Sequence, residues 1–199
     1  MWVLAAAPAL GVTDQAQTAP TGGALRLVID PQRSEVTFHM VTTWHGVEGK
    51  TKDLKGVITS DGSDPIVSGR VRVEINAASL DTGNGRRDAT MREDHLETAK
   101  HPTILFVSTG PPETAPAQSG QAEVSFTLPG DLTIHGVTRR VTLPAKARRE
   151  AGAWVARGEL PVRLSDFAIP DPSIMFNKVQ DVVTVSFTVV ATPENGPRD

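Results

Sequence analysis

Apolar and polar residues alternate along most of the chain beyond its N-terminal stretch. In the clearest case, IVSGRVRVEINA, the alternating apolar positions are Val67, Val71, Val73 and Ile75, with Gly69 between them. A period of two is typical of β-strands that bury one face and expose the other. The segment is therefore predicted to be a strand with one apolar face.

The same alternation recurs in residues 36–40, 124–128, 132–134, 141–145, 154–160 and 183–189. Turn-forming pairs separate many of these segments, among them Pro129-Gly130 and His135-Gly136. About eight strands with mostly short connections predict an antiparallel sandwich or barrel, and alternation alone fits both. A barrel of about eight strands has an interior that side chains can fill or that can hold one small ligand.

Only one segment has a helical pattern, from Arg86 to Thr98. Met91 and His95 are four residues apart with Leu96 beside them, and charged residues occupy the other side. Pro102 is expected to limit this segment. The prediction is thus an all-β fold with one helix that caps or flanks the barrel.

Composition narrows the class of protein. The chain has 199 residues, enough for one domain with a buried core. Its net charge of −3 comes from 20 basic and 23 acidic residues, without a basic block that could follow a phosphate backbone, so no nucleic-acid partner is expected. The chain has no cysteine, which excludes disulfides, thiolate metal sites and cysteine nucleophiles.

The N-terminal stretch differs from the remainder of the chain. An apolar run from Trp2 to Val12 precedes a polar segment rich in Gln, Thr, Pro and Gly. Either an export signal without the usual basic start or a disordered tail fits this pattern, and the run is too short to span a bilayer. The predicted division is a signal-like or disordered segment at 1–23, a barrel domain at 24–192 and a disordered C-terminal tail at 193–199.

Several motifs, in this order, resemble the YceI family of polyisoprenoid-binding, lipocalin-like proteins. They are IDPQRSEVTF, HGVEGKTKDLKGVI, ASLDTGNGRRDATMREDHLETAKHPTILFVST, GDLTIHGVTRRVTLP and SDFAIPDPSIMFNKVQDVVTVSFTV. The resemblance implies an extended eight-stranded antiparallel lipocalin-like barrel, exported to the bacterial periplasm, that encloses an amphiphilic isoprenoid chain. Where that family commonly has proline and often has glycine, this chain has Arg140 and Ala168.

The apolar faces predict a lumen that binds lipid. The expected ligand-contacting residues are Val36, Phe38, Met40, Val71, Val73, Ile75, Phe126, Ile134, Val183, Val185 and Phe187. Burial of a prenyl chain there is worth roughly 0.8 kcal/mol per methylene. The favoured function is noncatalytic binding, sequestration or transport of a polyisoprenoid or similar amphiphilic lipid. A barrel packed solid would instead favour a protein-interaction module.

The charged segment from Arg86 to Phe106 has three interpretations. His95 and His101 are six residues apart, which is not a zinc-enzyme spacing, so neither a metal nor another cofactor is expected. Nothing singles out one of its carboxylates for proton transfer. The favoured interpretation is a clip, in which Arg87 and Asp88 pair with strand groups and the apolar side chains plug one barrel end. Arg92 and His95 are then the candidates for contacting a lipid head group at an entrance.

The alternative is an enzyme that acts on a hydrophobic substrate. Its polar groups would be the loop residues His45 and His135 together with the Arg87/Asp88 region. Convergence of His45, His95 and His135 on one pocket would favour catalysis, whereas their dispersal would favour a carrier. The expectation is a protein that is not an enzyme and does not insert stably into a membrane, with a homodimer left open.

Overall fold

The computed structural model describes residues 24–114 and 123–194, which form one antiparallel sheet of eleven strands. The strands are β1 Leu25–Ile29, β2 Glu35–Thr42, β3 Gly46–Thr51, β4 Leu54–Ser60, β5 Arg70–Asn76, β6 Thr103–Ser108, β7 Glu113–Thr114, β8 Val124–Ile134, β9 Val137–Glu150, β10 Ala153–Arg163 and β11 Val179–Pro193. The helices are α1 Pro65–Ser68 and α2 Gly85–Thr90, and single 3₁₀ turns span Ala77–Ser79 and Ser165–Phe167. The predictions for 1–23 and for most of the C-terminal tail lie outside the described residues.

The sheet closes on itself. Its strand order is β1-β4-β5-β6-β8-β9-β10-β11, and β1 pairs again with β11 through residues such as Leu27 and Pro193. Eight strands therefore form a closed ring, β2 and β3 continue the sheet from β11, and β7 adds to β8. The predicted antiparallel lipocalin-like barrel is confirmed, and the sandwich alternative is excluded.

One end of the barrel is covered by the chain segments 77–101 and 164–169. Leu80, Leu96, Phe167 and Ile169 from these segments are buried together with strand residues such as Leu132. We call this end of the barrel the covered end. The opposite end, called the loop end, carries the connections at 61–69, 109–112 and 151–152.

The predicted helix is confirmed, but it ends earlier than Thr98, where the sequence pattern placed its end. The Asn84 side chain caps it by accepting a hydrogen bond from the Arg87 backbone N–H at 3.1 Å. After α2 the helix widens into a π turn over Met91–His95, with the Leu96 N–H donating to the Met91 carbonyl. Glu97 then adopts a left-handed φ of 44°, which ends the helix well before Pro102. In the described part of the chain, no helix is both long and apolar enough to cross a bilayer.

A short series of hydrogen bonds fastens α2 to the loop before it. The Arg87 Nε donates to the Thr82 hydroxyl at 2.7 Å, and that hydroxyl donates to the buried Asp88 carboxylate at 2.6 Å. The adjacent Asp81 exchanges two backbone hydrogen bonds with Lys50 of β3, at 2.9 and 3.0 Å. Arg87 and Asp88 therefore bond to Thr82 and not to strand groups as predicted, but the segment still fastens the cover to the barrel.

Two local predictions from the alternation pattern are wrong. Val67 lies in α1 and is exposed, because the Asp64 side chain caps this turn and Pro65 occupies its first position. Pro129-Gly130 is not a turn but lies inside the continuous strand β8. A Cβ on Gly130 would lie 2.5 Å from the Phe106 ring, so this glycine permits close packing and does not reverse the chain.

Ala168 has a left-handed backbone conformation. Its φ is 53°, and it follows the 3₁₀ turn that places the buried Phe167 in the covered end. An L-residue adopts this conformation at a cost that glycine avoids. The conformation gives a physical reason for the glycine that the resemblance leads one to expect at this position.

Replacement of Ala168 by glycine is expected to stabilise the fold by about 1 kcal/mol, because the strain disappears and the exposed methyl group contributes little packing. Chemical denaturation measures this. The matched control is Ala78→Gly, at an exposed alanine without positive φ, which is expected to lose about 0.5–1 kcal/mol. Equal losses in both variants would contradict the assignment of strain to Ala168.

Replacement of Thr82 by valine should lower the free energy of unfolding by about 1–3 kcal/mol, because Asp88 loses a buried hydrogen-bond donor. Burial alone would raise the pKa of Asp88, but hydrogen bonds from the Thr82 hydroxyl and backbone amide outweigh it, so the pKa lies below its ordinary value. A lowered folded pKa stabilises the ionised form: the contribution is complete above the ordinary aspartate pKa and is lost as pH falls through the folded pKa.

Denaturation curves from neutral pH into the acid range, recorded for Thr82→Val and the parent, measure this difference. The parent should lose more stability on acidification than the variant does. Thr142→Val, at an exposed strand position, is the control and should change stability by less than about 0.5 kcal/mol. Identical pH profiles for the parent and Thr82→Val would refute the role of this hydrogen bond.

Candidate functional site

The barrel encloses a cavity of about 230 Å³. Among the described residues, those that line it are aliphatic, aromatic or proline, and they come from all eight strands of the closed ring, from β2 and from segments outside the sheet. The indole N–H of Trp154 is the only polar side-chain group among them. A cavity of this kind can bind apolar chain by burial, but it offers almost no hydrogen bonds for orienting a polar substrate.

The alternation of side chains along the strands produces this lining. In β8, Phe126 and Leu128 line the cavity, whereas Ser125 and Thr127 face an outer groove. That groove lies on the outside of β8 to β11 and carries charged residues such as Lys146, Arg157 and Glu159. The inner and outer faces of the same strands are therefore apolar and polar, as their sequence pattern predicts.

Three glycines let aromatic rings lie against the barrel wall. A Cβ built on each glycine would lie only 2.4 to 2.6 Å from a ring atom. The pairs are Gly49 with Phe38, Gly130 with Phe106, and Gly158 with Phe187. All three phenylalanines line the cavity. Because each ring rests on glycine backbone, it takes up less of the central space, and the barrel keeps an internal volume.

Nine of the eleven predicted lumen residues line this cavity. They are Val36, Phe38, Val71, Val73, Ile75, Phe126, Ile134, Val185 and Phe187. Met40 and Val183 do not line it; they form a cross-strand pair between β2 and β11, towards the covered end. Contact of any of these residues with a ligand stays a prediction.

Other lining residues were missed by the sequence reasoning. Trp154, Ala156 and Leu160 belong to an alternating segment, so the period-two signal was present for them. Leu80 at the covered end follows a 3₁₀ turn and Ile66 at the loop end lies in α1, so both are outside the strands, where alternation carries no information. The Ile66 backbone N–H bonds to the Asp64 carboxylate at 2.9 Å, which fixes α1 beside the cavity.

Arg92 and His95, the predicted entrance residues, lie on the helix at the covered end, and neither lines the cavity. An Arg92 side-chain nitrogen lies 3.4 Å from the Ala78 carbonyl oxygen. The Nδ1 atom of His95 is buried and has no hydrogen-bond partner among the described residues. Their contact with a head group stays a prediction.

The histidines are dispersed. His45 is exposed, with Nδ1 2.9 Å from the Gly46 carbonyl oxygen, and His95 and His135 belong to different parts of the covered end. Within residues 24–114 and 123–194, no histidine lines the cavity. The convergence that would favour the enzyme alternative is therefore missing from the described part of the chain.

A separate polar cluster lies at the covered end. The Nε2 atom of His135 is 3.0 Å from a Glu97 carboxylate oxygen, and the ring of His101 meets that of His135 edge-on with centroids 4.8 Å apart. Hydrogen bonds from Lys100 first, and then from His135, hold the pKa of Glu97 below its usual value. These residues are partly exposed and do not line the apolar cavity.

Known proteins share this sequence pattern and fold. Protein YceI of Escherichia coli O157:H7 is 38% identical over 109 residues, which are 54% of this chain and 51% of the relative, so the chain spans about half the length of this relative. A UPF0312 protein of Ectopseudomonas mendocina (strain ymp) is 35% identical over 138 residues, 66% of this chain and 67% of the relative.

Two solved structures have folds similar to that of this chain. BcnA of Burkholderia cenocepacia has a TM-score of 0.68 at 25% identity, covering 82% of this chain and 99% of BcnA. A polyisoprenoid binding domain from Saccharophagus degradans, implicated in plant cell wall breakdown, has a TM-score of 0.66 at 17% identity, covering 85% and 99% of the two chains. At that identity the second likeness shows the fold alone.

The family model for the YceI-like domain matches residues 27–191, which run from within β1 to within β11 and so cover nearly all of the closed barrel. The resemblance seen in the sequence motifs is thereby confirmed, and the chain belongs to the YceI-like family.

Proposed function

We propose that the protein binds a polyisoprenoid or similar amphiphilic lipid inside the barrel and sequesters or transports it without chemical change. The observation that carries the proposal is the barrel cavity, whose described lining residues have a single polar side-chain group, the indole N–H of Trp154. Such a site favours a ligand by the area of apolar surface that it removes from water.

The energy of burial is large enough for this function. At roughly 0.8 kcal/mol per buried methylene, one five-carbon isoprene unit contributes about 4 kcal/mol before the costs of association. A few units therefore offset the loss of translational and rotational freedom without any specific polar contact. A polar head group would remain outside the cavity, because the lining offers it almost no partners.

The cavity volume limits how much of a chain is enclosed. A long chain must displace lining side chains or leave the barrel at one end. At the loop end the lining is made by Pro65, Ile66 and Pro112, outside the β-sheet, and these residues can move without breaking the closed ring.

The same geometry favours a lipid carrier over an enzyme. Among the residues that the structure describes, the cavity lining has no carboxylate, imidazole, hydroxyl or lysine that could act on a bound chain. The polar groups of the alternative enzyme, His45, His135 and the Arg87/Asp88 region, are used in loop and cover contacts outside the lining. The name of the Saccharophagus degradans domain supports a polyisoprenoid as the first ligand to test.

We further propose that the protein works outside the cytoplasm, in the periplasm of a bacterium. The apolar run from Trp2 to Val12 followed by a polar segment supports this proposal, since it resembles the core of an export signal.

Binding should be visible through Trp154. The double variant Trp2→Phe/Trp44→Phe keeps Trp154 as the single tryptophan, and this residue lines the cavity. A prenylated quinone is expected to quench its fluorescence saturably. In competition with geranyl, farnesyl and geranylgeranyl alcohols, affinity should rise about tenfold or more per added isoprene unit while the cavity has room.

A variant with a filled cavity is the control for this titration. Ala156→Leu adds apolar bulk to the lining and should weaken binding at least tenfold, while Ala78→Leu, at an exposed position, should leave it unchanged. Both variants must show the parent's circular dichroism. Absence of quenching in the parent, or equal binding by Ala156→Leu and the parent, would contradict lipid binding in this cavity.

Export is tested by cell fractionation. The chain is produced with a C-terminal tag in a Gram-negative host, and the periplasmic product should be shortened near the end of segment 1–23 by intact mass. Leu10→Arg, which places a charge in the apolar run, should retain the chain in the cytoplasm, whereas Gln15→Arg, beyond the run, should not. Cytoplasmic retention of the unshortened parent would refute the proposal.

A further inference from the structure

Glu97, His101 and His135 bring three metal-ligating groups together at the covered end. One ligand atom from each lies within 4.8 Å of the other two. Glu97 and His101 belong to one tight turn, in which the His101 backbone N–H donates to the Glu97 carbonyl at 2.9 Å. His135 comes from the two-residue turn between β8 and β9. The turn and the hairpin thus present their polar side chains to each other.

One of the three separations is already close to that around a bound ion. A tetrahedral ion with ligand bonds of about 2.0–2.1 Å separates its ligand atoms by about 3.3 Å. The His135 Nε2 and a Glu97 carboxylate oxygen are 3.0 Å apart, so a small movement would admit an ion between them. The His101 ring already packs edge-on against His135, and rotation of this side chain can bring in the third ligand.

The surroundings of His135 provide an independent indication. Its Nδ1 lies 3.3 Å from the Phe167 carbonyl oxygen, and its side chain is only 10% exposed. Histidine ligands of metals commonly donate their second ring N–H to a backbone carbonyl, which fixes the ring and turns the other nitrogen towards the ion. The Phe167 carbonyl is placed for this purpose, with Nε2 turned towards Glu97.

Backbone geometry holds the same residues in place. Glu97 and His135 have left-handed φ values of 44° and 51°. Gly136 is also required, because a Cβ there would lie 2.7 Å from the His101 ring. Strained residues of this kind persist when the surrounding structure over-determines them, and they concentrate at functional sites.

We propose that Glu97, His101 and His135 form a binding site for one divalent transition ion of the zinc type. Two imidazoles and one carboxylate are a ligand set that Zn²⁺ accepts, with a water molecule completing four-coordination. The 33% exposure of the Glu97 side chain leaves an approach from solvent. The bound ion ties the turn after the helix to the β8–β9 hairpin and so locks the cover onto the barrel.

Lys100 sets the strength of the site. Its ammonium group bonds to the other oxygen of the Glu97 carboxylate. The positive charge of Lys100 beside the site repels a bound cation. The parent site therefore has a lower affinity for the ion than a site without the lysine. This repulsion gives a second test, because removal of the charge must strengthen binding at a true metal site.

The experiment is calorimetric titration of tag-free, chelator-treated protein with Zn²⁺, and with Mg²⁺ as a control ion. One Zn²⁺ should bind per chain and raise the midpoint of thermal unfolding, whereas Mg²⁺ should not bind. His101→Ala, Glu97→Gln and His135→Asn should each weaken Zn²⁺ binding roughly tenfold or more. Asparagine suits the left-handed turn position, so His135→Asn keeps the hairpin.

Two variants complete the test. His39→Asn, at an exposed histidine of β2, is the matched control and should bind like the parent, while Lys100→Gln should bind more tightly. The proposal is overturned by absence of Zn²⁺ binding in the parent and in Lys100→Gln, or by binding that the three ligand variants leave unchanged. An equal loss in His39→Asn and His101→Ala would show nonspecific histidine binding and would overturn it as well.

Discussion

The pairing of β1 with β11 is the interaction on which the remainder of the structure depends. Without this pairing β1 would be an edge strand with a row of unpaired backbone N–H and C=O groups, and so would the part of β11 that lies beyond its pairing with β2. Their pairing completes a ring of eight strands and turns the apolar side of every alternating segment towards one interior. The same alternation in a flat sheet would expose that side or require a second layer to cover it.

Closure alone would not leave a cavity, because the interior of a barrel of this size can be filled by side chains. Here the three glycines opposite Phe38, Phe106 and Phe187 hold large rings against the wall, so that space remains between them. The cover then seals one end through Leu80, Leu96 and Phe167, and the hydrogen bonds of Thr82 hold this cover in position. Fold closure, internal volume and the cover are therefore separate features, and each depends on different residues.

The sequence predicted those features that follow from local periodicity. The strands, the antiparallel barrel and nine lining residues were expected because a period of two marks which side chains share a face. Prediction from periodicity failed where tertiary contacts or capping determine the local structure. Gly130 was predicted to be part of a turn, but it packs under Phe106. Val67 was predicted to continue an alternating strand, but Asp64 and Pro65 start a helical turn there. The Glu97–His101–His135 cluster was also out of reach, since residues distant in sequence meet through the closed sheet and the cover. The motif resemblance supplied what periodicity could not, the choice of a barrel over a sandwich.

The proposed function requires a dry barrel interior that receives an apolar chain. A crystal structure of the protein purified from its natural host without detergent tests this most directly. Elongated density is expected in the cavity, in contact with Phe38, Phe126 and Phe187 and with no hydrogen-bonding partner except near Trp154. Ordered water molecules along the cavity, or an interior closed completely by these side chains, would contradict it.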